Sequence, residues 1–416
     1  MRALILAGVL LITAAHAYAQ SPATYSVVFD PYMTPAAGAQ GLLTIQHLFA
    51  SAADRWLPLK IGSERSRPGL ALGILYRSGK FLLLDMPQDH FFLVAAHEVF
   101  GHGTRFREIG DGRLRYGFDA PIPYGSGDAF TRFHGLFPVT PLAELTVSAA
   151  GIEAQHALAD AIADRAAGRG RIHYREAWLY FESRMAAVSY ALSASPTSSE
   201  GHDVADYLEA FEKACTAPCT PLTRNHVQRR SLAALVDPLL YYSLYGLAVS
   251  YIGNGQTTGP LPMIPVGRGA QVMPSLGYAL APYGGEWSVR GVLVSGKGEE
   301  GRGKSVHGVT VRVGNTGASP TWGVSARAAD VARIRRLGIG VDVHVWQQPE
   351  VLADKTSDAQ SVGGGVLGTL VVPMPRWLRT RWSDGIHVTG GYKSEGFVPG
   401  EQLSGGAVLR LGFTVR

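Results

Sequence analysis

From about Gln40 to Leu57 apolar residues recur every three or four positions, at Leu42, Leu43, Ile45, Leu48, Phe49, Ala52 and Trp56. This spacing predicts an amphipathic helix that Pro58 ends. A loop containing Arg65, Arg67 and Pro68 is expected next. A second helical stretch begins near Asp89, just after Pro87, and places Phe91, Phe92, Leu93, Ala95, Ala96, Val99 and Phe100 on buried faces. Between Gly110 and Thr140 the density of Gly, Pro, Asp and aromatic residues predicts an ordered loop. Helices are expected again at about 141–167, 173–195, 203–214 and 229–252. Tyr207, Leu208 and Phe211 support the third, which starts near Asp203. The run from Ser231 to Gly253 is apolar enough for a membrane span, but Asp237-Pro238 and four tyrosines interrupt it, so a buried core helix is the reading.

After Pro262 the period changes from helical to two. Leu337, Ile339, Val341, Val343 and Val345 alternate with Gly338, Gly340, Asp342 and His344. At the end, Ala407, Leu409, Leu411, Phe413 and Val415 alternate with Arg410, Gly412, Thr414 and Arg416. Weaker copies at about 272–281, 286–296, 305–314, 320–329, 362–372 and 386–394 bring the expected number of strands to about eight. Segments of this length with one lipid-compatible face resemble an outer-membrane β-barrel, whose smallest usual form has eight antiparallel strands. Trp287, Trp322, Trp346, Trp377 and Trp382 fall near strand ends, where interfacial girdles sit. A soluble β-sandwich alternates in the same way and stays open as the alternative.

The ends and the composition place this pattern in a compartment. Met1-Arg2, an apolar run from Ala3 to Ala15 and Ala17-Tyr18-Ala19 have the order of a secretory signal, so residues 1–19 are expected to be removed and the mature chain to lie outside the cytoplasm. At 416 residues two domains are the natural division. We expect an α-helical domain over 20–265 and a β-barrel over 270–416, an α+β multidomain chain. Charged residues make up only 17%, and the 51 glycines concentrate in the last third. The net charge of +5 is spread along the chain without a dense basic block, which excludes a nucleic-acid partner. Arg333, Arg335 and Arg336 read as a solvated turn. Cys215 and Cys219 are expected to form a local disulfide.

The segment Ala96-His97-Glu98-Val99-Phe100-Gly101-His102-Gly103 carries the chemistry. It resembles the His-Glu-x-x-His signature of zinc peptidases with one extra residue, and in that form, His-Glu-x-x-Gly-His, it is similar to the motif of the dipeptidyl peptidase III family. The resemblance covers these residues only. On a straight helix His97 and His102 would lie about 140° apart. A π-type turn brings residues five apart together, and Gly101 would tolerate it. The resemblance then implies Zn2+ on His97 and His102, with Glu98 as general base on an attacking water. A metal-free alternative packs His97 in the core and pairs Glu98 with Arg105 or Arg107.

A catalytic zinc usually takes three protein ligands. Glu153, beyond Gly151 on the next helix, is the candidate for the third, with His156 and Glu144 as alternatives. The function expected is zinc-dependent hydrolysis of a peptide or protein substrate in the bacterial envelope, by an outer-membrane protein with a periplasmic domain in contact with outer-membrane lipid. A membrane-embedded helical zinc protease and a non-enzymatic barrel with a structural metal are the alternatives. The oligomeric state is not readable.

Overall fold

A computed structural model describes residues 25–57, 66–125, 128–138, 140–195, 201–215, 219–267, 269–296, 305–334, 337–350, 360–374, 380 and 383–415. The expected leader at 1–19, together with Arg335, Arg336, Trp377 and Trp382, lies outside the described residues.

The chain opens with strand β1 (Tyr25–Phe29) and helix α1 (Pro35–Trp56). A long helical run follows: α2 (Arg67–Lys80), a wide turn at Phe81–Asp85, α3 (Met86–Ala95), a second wide turn at Ala96–His102, and α4 (Gly103–Ile109). The stretch expected as a loop is instead a hairpin of β2 (Asp111–Phe118) and β3 (Ala129–Leu136). Then come α5 (Pro141–Arg169), β4 (Arg171–His173), α6 (Tyr174–Ser193), α7 (Asp203–Ala214) and α8 (Arg224–Ser231). The helix expected over 229–252 is broken. The Asp237 carboxylate caps a new start by accepting from the Leu239 N–H (3.0 Å), and Pro238 opens α9 (Pro238–Tyr245), which continues as a wide turn over Gly246–Gly253. The two parts bend by 58°, and among the described residues no single helix is long and apolar enough to cross a membrane.

The remaining elements are β5 (Thr258–Pro260), β6 (Ile264–Gly267), β7 (Ala270–Ala281), β8 (Gly284–Ser295), β9 (Ser305–Asn315), β10 (Pro320–Ile334), β11 (Leu337–Pro349), β12 (Gln360–Pro373), β13 (Ser383–Lys393) and β14 (Gly406–Val415). All eight expected strands are present. They join β6 and β1 in one ten-stranded antiparallel sheet, in the order β1-β14-β13-β12-β11-β10-β9-β8-β7-β6. The eight-stranded barrel is thereby corrected: the sheet has two more strands and is not closed, with β1 and β6 at its edges. β1, at the start of the part expected to be helical, pairs with β14 from Tyr25↔Val415 to Phe29↔Leu411. One hydrophobic cluster runs from Leu42 and Leu43 of α1 through Leu158 and Ile162 of α5 to Val292 and Val306 of the sheet.

The polarity of this sheet is inverted. On β11 Asp342 and His344 are buried while Val343 and Val345 are exposed; on β14 Arg410 and Thr414 are buried while Leu409, Leu411 and Phe413 are exposed. Exposed Val289, Val311, Val313, Val362, Val366 and Tyr392 continue the apolar face across the neighbouring strands. A sheet facing water on one side puts its apolar residues against the core instead. Here the inner face pairs its charges: Arg312 with Glu286 at 2.7 Å, Arg327 with Asp342 at 2.6 Å, and Arg290 with Asp164 of α5.

α5 is the helix around which these layers form. The Thr140 hydroxyl accepts from the Ala143 N–H (3.2 Å), Pro141 takes the first helical position, and Gly170 at φ 66° ends the helix in the left-handed region. Its alanines let α1, α6, α7 and the sheet approach on different sides. Breaking one internal ion pair should therefore be costly. Glu286→Ala leaves the Arg312 guanidinium buried without its countercharge and is expected to cost about 3–5 kcal/mol in urea unfolding. Glu209→Ala, which removes the exposed partner of Lys213, should leave the midpoint unchanged. Equal midpoints for the two variants would show that the inner charges carry no stability.

Candidate metal centre

The wide turn at Ala96–His102 does what the five-residue spacing requires. His97 Nε2 and His102 Nε2 stand 3.1 Å apart, and both rings are buried. Gly101 matters chiefly as a contact. A Cβ there would lie 2.6 Å from the Ala150 carbonyl oxygen and 2.7 Å from Gly151 Cα. Gly151 is tighter still, since its Cβ would stand 2.2 Å from His97 Cε1. The ligand-bearing turn and α5 thus cross glycine on glycine, with the His97 ring filling the space a side chain would take.

Each imidazole is oriented by a neighbour. His102 Nδ1 lies 2.9 Å from the Val147 carbonyl oxygen, to which it donates, and this turns Nε2 toward His97 and Asp203. The His97 ring stacks on Tyr190 at a centroid distance of 5.4 Å and an interplanar angle of 19°. Glu98 is buried beside them, in a His97–Glu98–His102 group whose ligand atoms all lie within 4.8 Å of one another. Its Oε2 accepts a hydrogen bond from the Thr131 hydroxyl of β3 (2.6 Å). The metal-free pairings do not form: Arg105 binds Glu108 and Glu153, and Arg107 donates to the Tyr32 carbonyl and the Tyr116 hydroxyl.

A fourth residue completes the group. Asp203, the first residue of α7, brings Oδ2 to 2.9 Å from His97 Nε2 and Oδ1 to 3.3 Å from His102 Nε2. Oδ2 is buried and faces the His97 ring. Burial would lower the His102 pKa, but the Asp203 carboxylate, helped by Glu98 and the Val147 carbonyl, outweighs it and pushes it up to about 9. Burial likewise opposes ionisation of Asp203, yet His102 and His97 hold its carboxyl well below the usual carboxylate range.

Glu153, expected to supply the third ligand, lies outside this group. Its two carboxylate oxygens accept from Arg105 Nη2 at 2.6 and 2.7 Å, and Oε1 also accepts from the Gly400 N–H at 2.8 Å. The cause is helical phase. Gly151 faces His97, and a residue two positions on is turned by about 200°. His156 borders the space between α5 and the sheet, near Glu286 and Arg290, and Glu144 is also outside the cluster.

The donor set suits a metal ion. Two ligands each about 2.0–2.1 Å from a tetrahedral ion are about 3.3 Å apart. The two Nε2 atoms, 3.1 Å apart, are close to that separation, and the Asp203 carboxylate reaches one ring through Oδ2 (2.9 Å) and the other through Oδ1 (3.3 Å). The group borders a cleft of about 810 Å3 whose walls include Val94, Phe106, Phe130, Trp178 and Phe181, with Glu182 and Asp206 among its polar residues. Sequence reasoning missed Asp203, Thr131 and Tyr190. Only Asp203 left a trace, as the start of α7. No protein-family model matches the chain, and no curated protein or solved structure matches it either.

The glycine crossing yields a direct test. Gly151→Ala should force the His97 ring out of place, cost about 1–3 kcal/mol as overpacking does, and weaken metal binding. At Gly79 a Cβ meets nothing within 4 Å, so Gly79→Ala should be neutral or stabilising by about 0.5–1 kcal/mol. Thermal melting and metal titration of both variants decide, and an undisturbed Gly151→Ala protein would contradict the packing described.

Proposed function

We propose that the protein is a zinc-dependent peptidase of the bacterial cell envelope, with the metal held by His97, His102 and Asp203 and with Glu98 as the general base. The observation that carries this reading is the convergence of two Nε2 atoms and the buried Asp203 carboxylate beside Glu98, at the edge of an open cleft. Two imidazoles with one carboxylate are a donor set suited to Zn2+, and catalytic sites keep a position open where structural sites are closed. Bound there, the ion would supply Lewis acidity to a water and to an amide carbonyl.

The chain's own residues do the rest. Val147 and Tyr190 hold the two rings in place, which keeps both Nε2 atoms directed at the same point. The Thr131 hydroxyl fixes one oxygen of Glu98 and leaves the other to take a proton from the attacking water. That proton then passes to the leaving amine. The cleft's apolar walls suit a peptide segment with bulky side chains, and they exclude water around the scissile bond.

The localisation we propose is the outer membrane, after export, with the apolar outer face of the sheet against lipid. Its support is the inverted polarity described above, since exposed Val, Leu and Phe over buried Arg, Asp and Thr are arranged as hydrocarbon would demand.

Three substitutions test the chemistry together. Glu98→Gln should keep zinc and lower hydrolysis by about 10²–10⁴-fold, the usual contribution of a general base. Asp203→Asn should weaken zinc by more than about 10–100-fold, which is the loss caused by removing an outer-shell partner. Glu153→Gln should leave zinc affinity unchanged. Zinc is measured by competition with a chelator and hydrolysis with a quenched peptide library. Full activity in Glu98→Gln would remove the peptidase reading, and zinc loss confined to Glu153→Gln would return the third ligand to α5.

A further inference from the structure

Among the described residues the outer edges of β1 and β6 carry no further strand, and three helical segments lie in turn between these edges. β1 packs on α1: the Thr44 hydroxyl donates to the Ser26 carbonyl (2.8 Å), and Tyr25 stacks on His47 at 3.7 Å. α1 meets the end of α2 where Lys80 Nζ lies 3.5 Å from Asp54. α2 meets the 238–253 segment through Arg77, which donates to the carbonyls of Ile252 (2.9 Å) and Gly253 (3.2 Å). That segment closes on β5, where a Cβ at Gly259 would stand 2.6 Å from Gly246 Cα, and after three intervening residues the chain enters β6.

The run 67–85 shares the inverted polarity of the sheet, and the other two segments add exposed apolar residues beside it. In the run 67–85 the cation Arg77 is 0% exposed and Asp85 1%, whereas Leu75 is 70% and Leu83 72% exposed. Lys80 is also buried, donating to Asp85 and to the Tyr174 hydroxyl (2.8 Å). Phe49 on α1 and Val236, Tyr241 and Val249 on the broken helix are exposed as well. A helix solvated by water turns its charges outward and its leucines to the core. Along 67–85 the order is reversed, and the reversal continues the apolar face of the sheet across its open side.

We propose that the segments 35–56, 67–85 and 232–253 fill the gap between β1 and β6 and face the lipid hydrocarbon, so that ten strands and three helical segments form one continuous membrane-contacting belt. This rests on the membrane reading given above and goes beyond it, because a barrel pattern in the strands assigns no helix to the lipid. The buried pairs beneath the helices supply what hydrocarbon requires, since no charge of Arg77, Lys80 or Asp85 is left to the outside.

The test uses the full chain in vesicles of phosphatidylethanolamine and phosphatidylglycerol. Single cysteines replace Leu75, Leu83 or Val249 on the helices, or Val366 or Leu409 on the sheet, and carry a fluorophore. Lipid-borne nitroxide should quench the helix positions to within about twofold of the sheet positions, with iodide in water quenching neither set strongly. If the sheet positions respond to nitroxide while the helix positions respond to iodide, the helices lie in water and the belt is overturned while the membrane reading stands. If the helix positions respond to neither quencher, a second copy or a protein partner covers them, which also overturns the belt. If no position on either set responds to nitroxide, the membrane reading itself has failed.

Discussion

The crossing of the ligand turn over α5 sets the geometry on which the other parts depend. With no Cβ on Gly101 or Gly151, the two backbones come close enough for the His97 ring to lie directly over α5. The depth of that contact fixes where α5 runs, and α5 in turn fixes the sheet through Asp164 on Arg290. It also fixes the loop between β13 and β14. Glu153 of α5, Arg105 and Glu108 of α4, and the backbone of Gly400, Glu401 and Leu403 join in one buried network: Glu153 accepts from the Gly400 N–H, Arg105 donates to the Glu401 carbonyl (3.1 Å), and Glu108 accepts from the Leu403 N–H (2.7 Å). The residue expected to bind metal therefore ties α4 and α5 to the loop between β13 and β14. That role makes it important to the site without placing it in the site.

The inner charges would be a poor way to stabilise a soluble core, because desolvating an ion pair costs about as much as the pairing returns. They make sense when the outer face is also considered. A chain that turns its apolar residues outward has to put its polar residues inside, and each must then find a partner. Arg410 with Glu401 and Asp30, Arg312 with Glu286, and Arg184 with Asp237 at 3.0 Å are such solutions. The arrangement gives up core hydrophobicity in exchange for an apolar exterior.

This inversion also governs what was legible in the sequence. The eight strands were readable because a period of two over about ten residues looks the same whichever face is buried. β6 was too short to show a period, and β1 stood apart from the other strands, ahead of the first helix. The segment 67–85 was hidden differently. Only a loop with Arg65, Arg67 and Pro68 is expected ahead of the helix near Asp89, whereas the chain is helical from Arg67 and buries Arg77 and Lys80. The hairpin at 111–136 was masked by its glycines and aromatics. At the site, His97, Glu98 and His102 were legible because one turn of chain contains them. Asp203 was not, because it lies about a hundred residues downstream, and an aspartate at a helix start is ordinary capping chemistry. The phase of α5 relative to the ligand turn is a tertiary fact, so Glu153 and Gly151 could not be told apart by spacing alone.

The helical run from Arg67 to Ile109 connects the two halves of the functional reading. Its first part carries the exposed leucines and its later part the candidate metal ligands, and from Leu83 to His97 the rise along a helix is roughly 20 Å. Phe81, at the inner side of the leucine-bearing turn, meets Trp178 edge-on at a centroid distance of 5.4 Å, and Trp178 is a wall of the cleft. Any shift of the leucine-bearing segment is thus passed to the cleft through one aromatic contact and to His97 through a helix without a break. The wide turn at Phe81–Asp85 is held by Lys80, Arg175 and Tyr174 on Asp85, so the run is pinned between its two ends. A site carried on such a run keeps its geometry only while the outer face of the run is packed. For a protein with hydrocarbon on that face, the ligand geometry would depend on the membrane that surrounds it.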